Sequence, residues 1–412
     1  MPNCRTWKLE LRHDDYFAQV AEGLDRPERL EMARRQGLKT VALVGVDIPE
    51  TLFWACGAVP ISLGRFVANV GVGAQDTTPS TDRDLPRDIC AIVRTTFDLL
   101  AHRWIPAGLV DAVVVAGGCD WITRLGNGLE GMVPVWPLNI SRAADFPHSR
   151  LGSLEKMLTA LERLTDLPLA RRAFKTACER AIALDALCGS LDHLRLGSPP
   201  TIGASDYYRI VGALALADPL RWADAAQALV SHQRSAASNQ QSEIGSPRVV
   251  LCGCPAGFPD LSLIGLIEQT GFQIVGEDFS AHGNSRKGGK PPRGGRSSIF
   301  KWVAETLTTS DGRTGLLPVT NHGLADELVS PLLAQMTERR ADGMIRLHYR
   351  GCAVNAMEAA NGKSGLADRD VAVLALEVEQ MPPAIEALRT RLEAFCEQLL
   401  SRSHVSDFKF QD

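Results

Sequence analysis

The sequence has no run of about 18 apolar residues, so no segment is expected to span a bilayer. Its opening, MPNCRTWKLELRHDDYF, is broken by charge and lacks the apolar stretch of a secretory signal. There is no surplus of positive charge: 44 Lys and Arg against 48 Asp and Glu leave −4, which gives no general attraction for nucleic acid. A compact metal-binding array is missing too, because Cys252-Gly-Cys254 is too tight for a zinc knuckle. Gly362-Lys-Ser364 is not a phosphate-binding loop, since Met357 stands where the first glycine belongs. Together these absences lead us to expect a cytoplasmic protein that binds neither membrane nor nucleic acid and does not itself bind ATP.

What is present is a globular balance, 45% hydrophobic and 22% charged, over 412 residues, too many for one ordinary core. After a helical lead-in from Asp14 to Gln36, Thr40–Val46 (TVALVGV) reads as a strand. It leads through Asp47-Ile-Pro49-Glu50 into a short helix ending at Gly57, with proline and acid marking the helix start. Val59–Leu63 is a short apolar stretch, Leu85–His102 reads as a helix, Asp111–Gly118 (DAVVVAGG) as a buried strand running into a Gly-rich loop, and 132–138 (MVPVWPL) as a strand-like piece. From about Arg150 to His232 the periodicity is helical with a break at Gly197-Ser-Pro-Pro200, and Ser231–Pro247 is polar enough for a linker. Arg248–Gly257 (RVVLCGCPAG) reads as a strand into a Gly/Pro turn, with further strands at 272–275, 343–349 and 371–379 and helices near 261–270, 324–339 and 384–400. The expected fold is α/β: two doubly wound, Rossmann- or flavodoxin-like domains at 1–149 and 241–412, with an interposed helical segment at 150–240.

Ten cysteines in a cytoplasmic chain should be reduced, and burial as a small hydrophobe is the default for each. Three stand apart. Cys119 and Cys352 follow strands, and in open α/β sheets ligands gather beyond the strands' carboxyl ends. Cys90 opens a helix in LPRDICAIV, where the helix dipole favours thiolate. Soft thiolates are what iron clusters take as ligands, but spacing alone leaves burial as the leading reading. Cys56, Cys178, Cys188 and Cys396 fall in helical patterns and should be packed, and His348 reads as a structural strand histidine. Cys254 sits in a tight turn that approaches a ligand or is simply buried. Glu50 is either a site carboxylate or a helix N-terminal charge. The basic insertion 282–296 reads as a surface loop or as an anion site formed by Arg286, Lys287, Lys290, Arg293 and Arg296.

Ordered segments add a resemblance. Pro49-Glu50 leading into Ala55-Cys-Gly-Ala-Val-Pro60, then Leu85-Pro-Arg-Asp-Ile-Cys90, Gly118-Cys119-Asp120 and Gly253-Cys-Pro-Ala-Gly257 follow one another along the chain. Leu266-Ile-Glu-Gln-Thr-Gly271, Glu277-Asp278, Cys352 after Asp342-Gly343, Leu376-Glu377 and Arg391-Leu-Glu-Ala-Phe395 continue the series. The set resembles the large subunits of 2-hydroxyacyl-CoA dehydratases and the related ATP-dependent benzoyl-CoA reductases. The resemblance implies that Cys90, Cys119 and Cys352 bind three irons of a [4Fe-4S] cluster in a cleft between the α/β domains, the fourth iron being left to solvent or substrate. It implies a dimer with a paralogous or identical subunit, and an ATP-hydrolysing iron–sulfur activator that delivers one electron. It also implies an acyl-CoA substrate that loses water through a ketyl radical. Relatives with a double-cubane cluster carry further cysteines; here the corresponding segments read Val44-Gly-Val-Asp47 and Asp278-Phe-Ser280, and no cysteine occurs between 255 and 351, which disfavours that form. An aromatic acyl-CoA reductase subunit, or a non-catalytic electron-transfer or scaffold protein on the same fold, are the alternatives.

Overall fold

A computed structural model describes residues 14–45, 48–63, 66–67, 89–117, 119–139, 147–197, 200–236, 245–254, 258–279, 292–309, 324–352, 356, 369–378 and 385–408. The N-terminal part runs α1 (Asp14–Glu22), α2 (Glu28–Arg35), β1 (Thr40–Val44), α3 (Glu50–Ala55), β2 (Val59–Ser62), β3 (Phe66–Val67), α4 (Ala91–Leu99), β4 (Ala112–Gly117), α5 (Asp120–Leu129) and β5 (Val135–Asn139). Four helices follow: α6 (Pro147–Thr165), α7 (Arg171–Leu196), α8 (Ala204–Ala213) and α9 (Pro219–Ala236). The remainder is β6 (Arg248–Gly253), β7 (Phe258–Pro259), α10 (Ser262–Gln269), β8 (Gln273–Phe279), α11 (Arg296–Thr309), α12 (Leu324–Arg339), β9 (Gly343–Tyr349), β10 (Val373–Val378) and α13 (Ile385–Phe408).

The expected α/β class is what forms. One sheet has the order β2-β1-β4-β5 and the other β10-β9-β6-β8, and every pairing in both is parallel. Parallel strands are covered on both faces, which is why β1 is buried at all of its positions and reads as a continuous apolar run. Counted within its own sheet, each half has its second strand outside its first and its third on the other side. The direction in which strands are added therefore reverses between β1 and β4 in one sheet and between β6 and β9 in the other. These are the switch points where such sheets hold ligands.

Helices close the two layers. One core packs Val44 and Val115 of the first sheet, Leu251 and Leu347 of the second, and Leu263, Ile267, Leu392 and Phe395 of α10 and α13 into a single cluster that also takes in α1, α4 and α8. A second core covers the other face of the first sheet with α3, α6, the start of α7 and α11. A smaller one places α12 on the far face of the second sheet. A two-residue parallel ribbon, Phe66 with Phe258 and Val67 with Pro259, adds a backbone tie between the halves.

Some elements depart from the expected pattern. Ser231–Ala236, read as the start of a linker, continue α9, since Gln, Arg and Ala are good helix formers. The helix expected from Leu85 is described from Ala91 and ends in a wider turn at Leu100–Trp104; residues 81–88 lie outside the described set. α11 carries no expectation at all, yet its Ile299, Val303 and Ala304 are buried against the first domain's core. Residues 237–244, 280–291 and 357–368, which hold the rest of the linker, most of the basic insertion and Gly362-Lys-Ser364, lie outside the described residues.

Candidate metal centre

Cys119 follows β4 and adopts an extended backbone (φ −147°, ψ 160°) as the N-cap of α5. Its sulfur faces the backbone N–H groups of Trp121 and Ile122 without closing a capping hydrogen bond. Cys90 is the N-cap of α4, with the N–H groups of Ile92 and Val93 directed at its sulfur in the same way. Two helix N-termini therefore present partial positive charge to two thiols, an arrangement that favours thiolate.

Cys352 comes from the second domain. Beyond β9 the chain turns through Tyr349-Arg-Gly-Cys352, closed by Cys352 N–H donating to the Tyr349 carbonyl at 3.0 Å. Gly351 takes φ +82° in that turn, a conformation an L side chain rarely adopts. The Trp121 indole N–H donates to the Gly351 carbonyl at 3.0 Å, pinning α5 of the first domain to this turn of the second.

The three sequence-predicted thiols meet. Cys352 is hydrogen-bonded to Cys90, and its charge acts on Cys119. A further thiol joins them: Cys254, the residue after β6, hydrogen-bonds Cys352 and lies in the field of Cys90. The contact with Cys352 and burial hold the Cys90 and Cys254 thiols well above their ordinary range, and burial raises Cys119 against the opposing pull of its two N–H groups. Tyr349 is also here, buried on β9 with its phenol kept protonated by burial and by the charges of Cys254, Cys90 and Asp260. Neither Cys254 nor Tyr349 carries a strong signal in the sequence; for Cys254 the clue was its place at a strand end, like Cys119 and Cys352.

Glu50 is buried at the first turn of α3, just past the carboxyl end of β1. It lies on the β1 side of the first switch point, with Cys119 on the β4 side. Its carboxylate is not among the principal charges acting on the thiols, which are the other thiols and, for Cys119, Asp120. Arg296, offered as an anion ligand, is instead the first residue of α11 and forms a two-pronged ion pair with Glu162 of α6 at 3.2 and 3.1 Å.

The donor set decides which group these thiols suit. Among the described residues, no three His, Cys, Asp or Glu side chains converge on one point as a single ion requires. The thiols of Cys90 and Cys254 each interact with Cys352, a spread-out set of sulfur donors of the kind a multinuclear group takes. Soft sulfur donors without histidine suit iron–sulfur chemistry better than a hard cation, and N–H groups directed at the sulfurs are a lever on such clusters.

Fold and site together define an α/β protein whose cluster of thiols lies where the carboxyl ends of two flavodoxin-like sheets meet. The family model for the 2-hydroxyglutaryl-CoA dehydratase D-component matches residues 46–399, a span that includes the second sheet, all of the first sheet but β1, and all four thiols. The chain belongs to that family of dehydratase subunits. It is similar to an Escherichia coli (strain K12) protein named "Putative dehydratase subunit YjiM", 23% identical over 380 residues that cover 89% of this chain and 93% of the relative.

Proposed function

We propose that this chain is the iron–sulfur subunit of a 2-hydroxyacyl-CoA dehydratase, with Cys90, Cys119 and Cys352 holding a [4Fe-4S] group. The observation that carries the reading is the meeting of these three thiols, drawn from two helix N-termini and a strand end, in a chain of the dehydratase D-component family. Once bound, the group would supply an electron and a Lewis-acid iron for the thioester carbonyl, chemistry that no side chain here offers.

The chain's own residues do the rest. The N–H groups at the starts of α4 and α5 stabilise the anionic sulfurs of Cys90 and Cys119. The Trp121–Gly351 hydrogen bond keeps the first domain's ligands in register with Cys352. Burial of Cys90 and Cys254 in the shared core excludes water from one side of the crevice. Glu50, beyond β1, is the carboxylate assigned to proton handling on the acyl group. The partners in this reading are a related or identical subunit, an ATP-hydrolysing iron–sulfur activator and the acyl-CoA itself, all in the cytoplasm.

The test is a turnover assay. Anaerobically loaded protein, mixed with activator, ATP, a reductant and a panel of short, branched and aromatic 2-hydroxyacyl-CoA thioesters, should form a 2-enoyl-CoA seen as loss of water by mass. Formation of a dearomatised product from an aromatic acyl-CoA, with no dehydration of any hydroxyacyl thioester, would replace the reading with that of a reductase.

A further inference from the structure

Cys254 has a place in the fold that none of the other buried thiols shares. Cys56 and Cys178 are fully buried among apolar side chains of the first domain's outer core, and Cys396 packs near the second sheet on α13. Cys254 instead leaves β6 where Cys352 leaves β9, and these are the two adjacent strands that flank the second sheet's switch point. The ladder between them runs to Gly253 opposite Leu347, and Cys254 N–H extends it by donating to the Leu347 carbonyl at 2.9 Å. Gly253 takes φ +89° just before, which lets the chain leave the sheet at that point. Cys254 and Cys352 are thus held by backbone hydrogen bonds at the same end of the second sheet, with their thiols within hydrogen-bonding range.

The contact is of the same kind as that between Cys352 and Cys90, whereas Cys119 reaches Cys352 through its charge. Whatever soft group the other three hold therefore lies within reach of a fourth sulfur. A thiolate binds iron more strongly than water does, and a buried one has little water to compete with.

We propose that Cys254 is a fourth sulfur ligand of the group held by Cys90, Cys119 and Cys352, closing the position those three leave open while no substrate is bound. The inference rests on the iron–sulfur reading above. It makes the open iron a state that the protein enters by withdrawing Cys254, rather than its resting condition.

Mild oxidation separates the two cases, because an iron without a protein thiolate is lost first and leaves a three-iron group with its own paramagnetic resonance signal. The full-length chain, Cys254→Ala and Cys178→Ala would be loaded anaerobically, treated with a slight excess of ferricyanide, and read by iron analysis and by that signal. The unsubstituted chain and Cys178→Ala should keep their full iron complement with little signal, while Cys254→Ala should convert at least several-fold more. An unsubstituted chain that converts as completely as Cys254→Ala overturns the proposal. Complete conversion of the unsubstituted chain alone does the same, so the result stands even where the variant fails to fold. Failure of the unsubstituted chain to take up iron and sulfide at all overturns the iron–sulfur reading as well, an outcome distinct from loading followed by conversion.

Discussion

A thiol's environment decides whether it reacts. Burial, with help from the Glu162 charge, pushes the Cys56 thiol up to about 12, and burial with Glu179 pushes Cys178 up to about 11. At pH 8 neither has useful thiolate, and neither has a path to solvent. Cys119 and Cys352 keep part of their surface in solvent. Peptide mapping after brief iodoacetamide treatment of the metal-free protein at pH 8 should find Cys119 and Cys352 labelled and Cys56 and Cys178 spared until the chain is unfolded. Labelling of Cys56 at the rate of Cys352 would contradict the packing described here. At this scale the sequence was informative wherever a cysteine carried a local signal. Cys90 at a helix start and Cys119 and Cys352 at strand ends were all legible. Cys254 was undervalued because its importance comes from Cys352, a neighbour in space that nothing in the Gly253-Cys254-Pro255 turn announces.

Elements place these residues, and charges at their ends steady them. Glu162 of α6 pairs with Arg296 at the start of α11 and accepts a backbone N–H from Leu169 at 2.9 Å. Burial raises its carboxyl, but Arg296 and Leu169 outweigh that, and the net position is below the ordinary range. A carboxyl lowered in the folded state contributes stability that is present above its unfolded value and disappears as pH falls through the folded one. Glu162→Gln should therefore cost a fraction of a kcal/mol at pH 7, as partly exposed pairs do, and less at pH 3, measured by urea unfolding at both. An equal cost at the two pH values would assign the effect to packing. Strands such as β1 and β4 were legible because buried parallel strands are unbroken apolar runs. α11 was not, because it follows a Gly-rich basic stretch and its role is to return to the first domain's core, a long-range fact. The β3–β7 ribbon was hidden for the same reason: two residues make no pattern until a partner strand is known.

Across the whole molecule, one buried cation couples the helical segment to the second sheet. Arg195 of α7 is 3% exposed; it reaches Asp192 at 2.6 Å and Glu277 of β8 at 2.7 Å, and its guanidinium lies 4.0 Å from the centre of the Tyr207 ring. Tyr208 donates to the same Glu277 at 2.8 Å. Removing one partner of such a pair strands the other, so Arg195→Ala should lower the unfolding free energy by about 3 kcal/mol. Combining Arg195→Met with Glu277→Met should recover much of that loss in the same denaturation experiment. A single Arg195→Ala variant with unchanged stability would mean that α7 and the second sheet are not coupled through this residue. The two-sheet architecture was legible in the alternation of apolar runs, turns and helices. The way the carboxyl ends of the two sheets meet was not, because it depends on side-chain contacts between halves far apart in the chain.

The central claim is that those ends meet around one sulfur-bound group, and loading tests it most directly. Anaerobic reconstitution with iron and sulfide, followed by metal analysis and visible absorbance, should give a loaded chain. Replacing Cys90, Cys119 and Cys352 together by Ala should remove most of the iron, sulfide and absorbance, while Cys178→Ala keeps them. Full loading of the triple variant, or no loading of the unsubstituted chain, would contradict it.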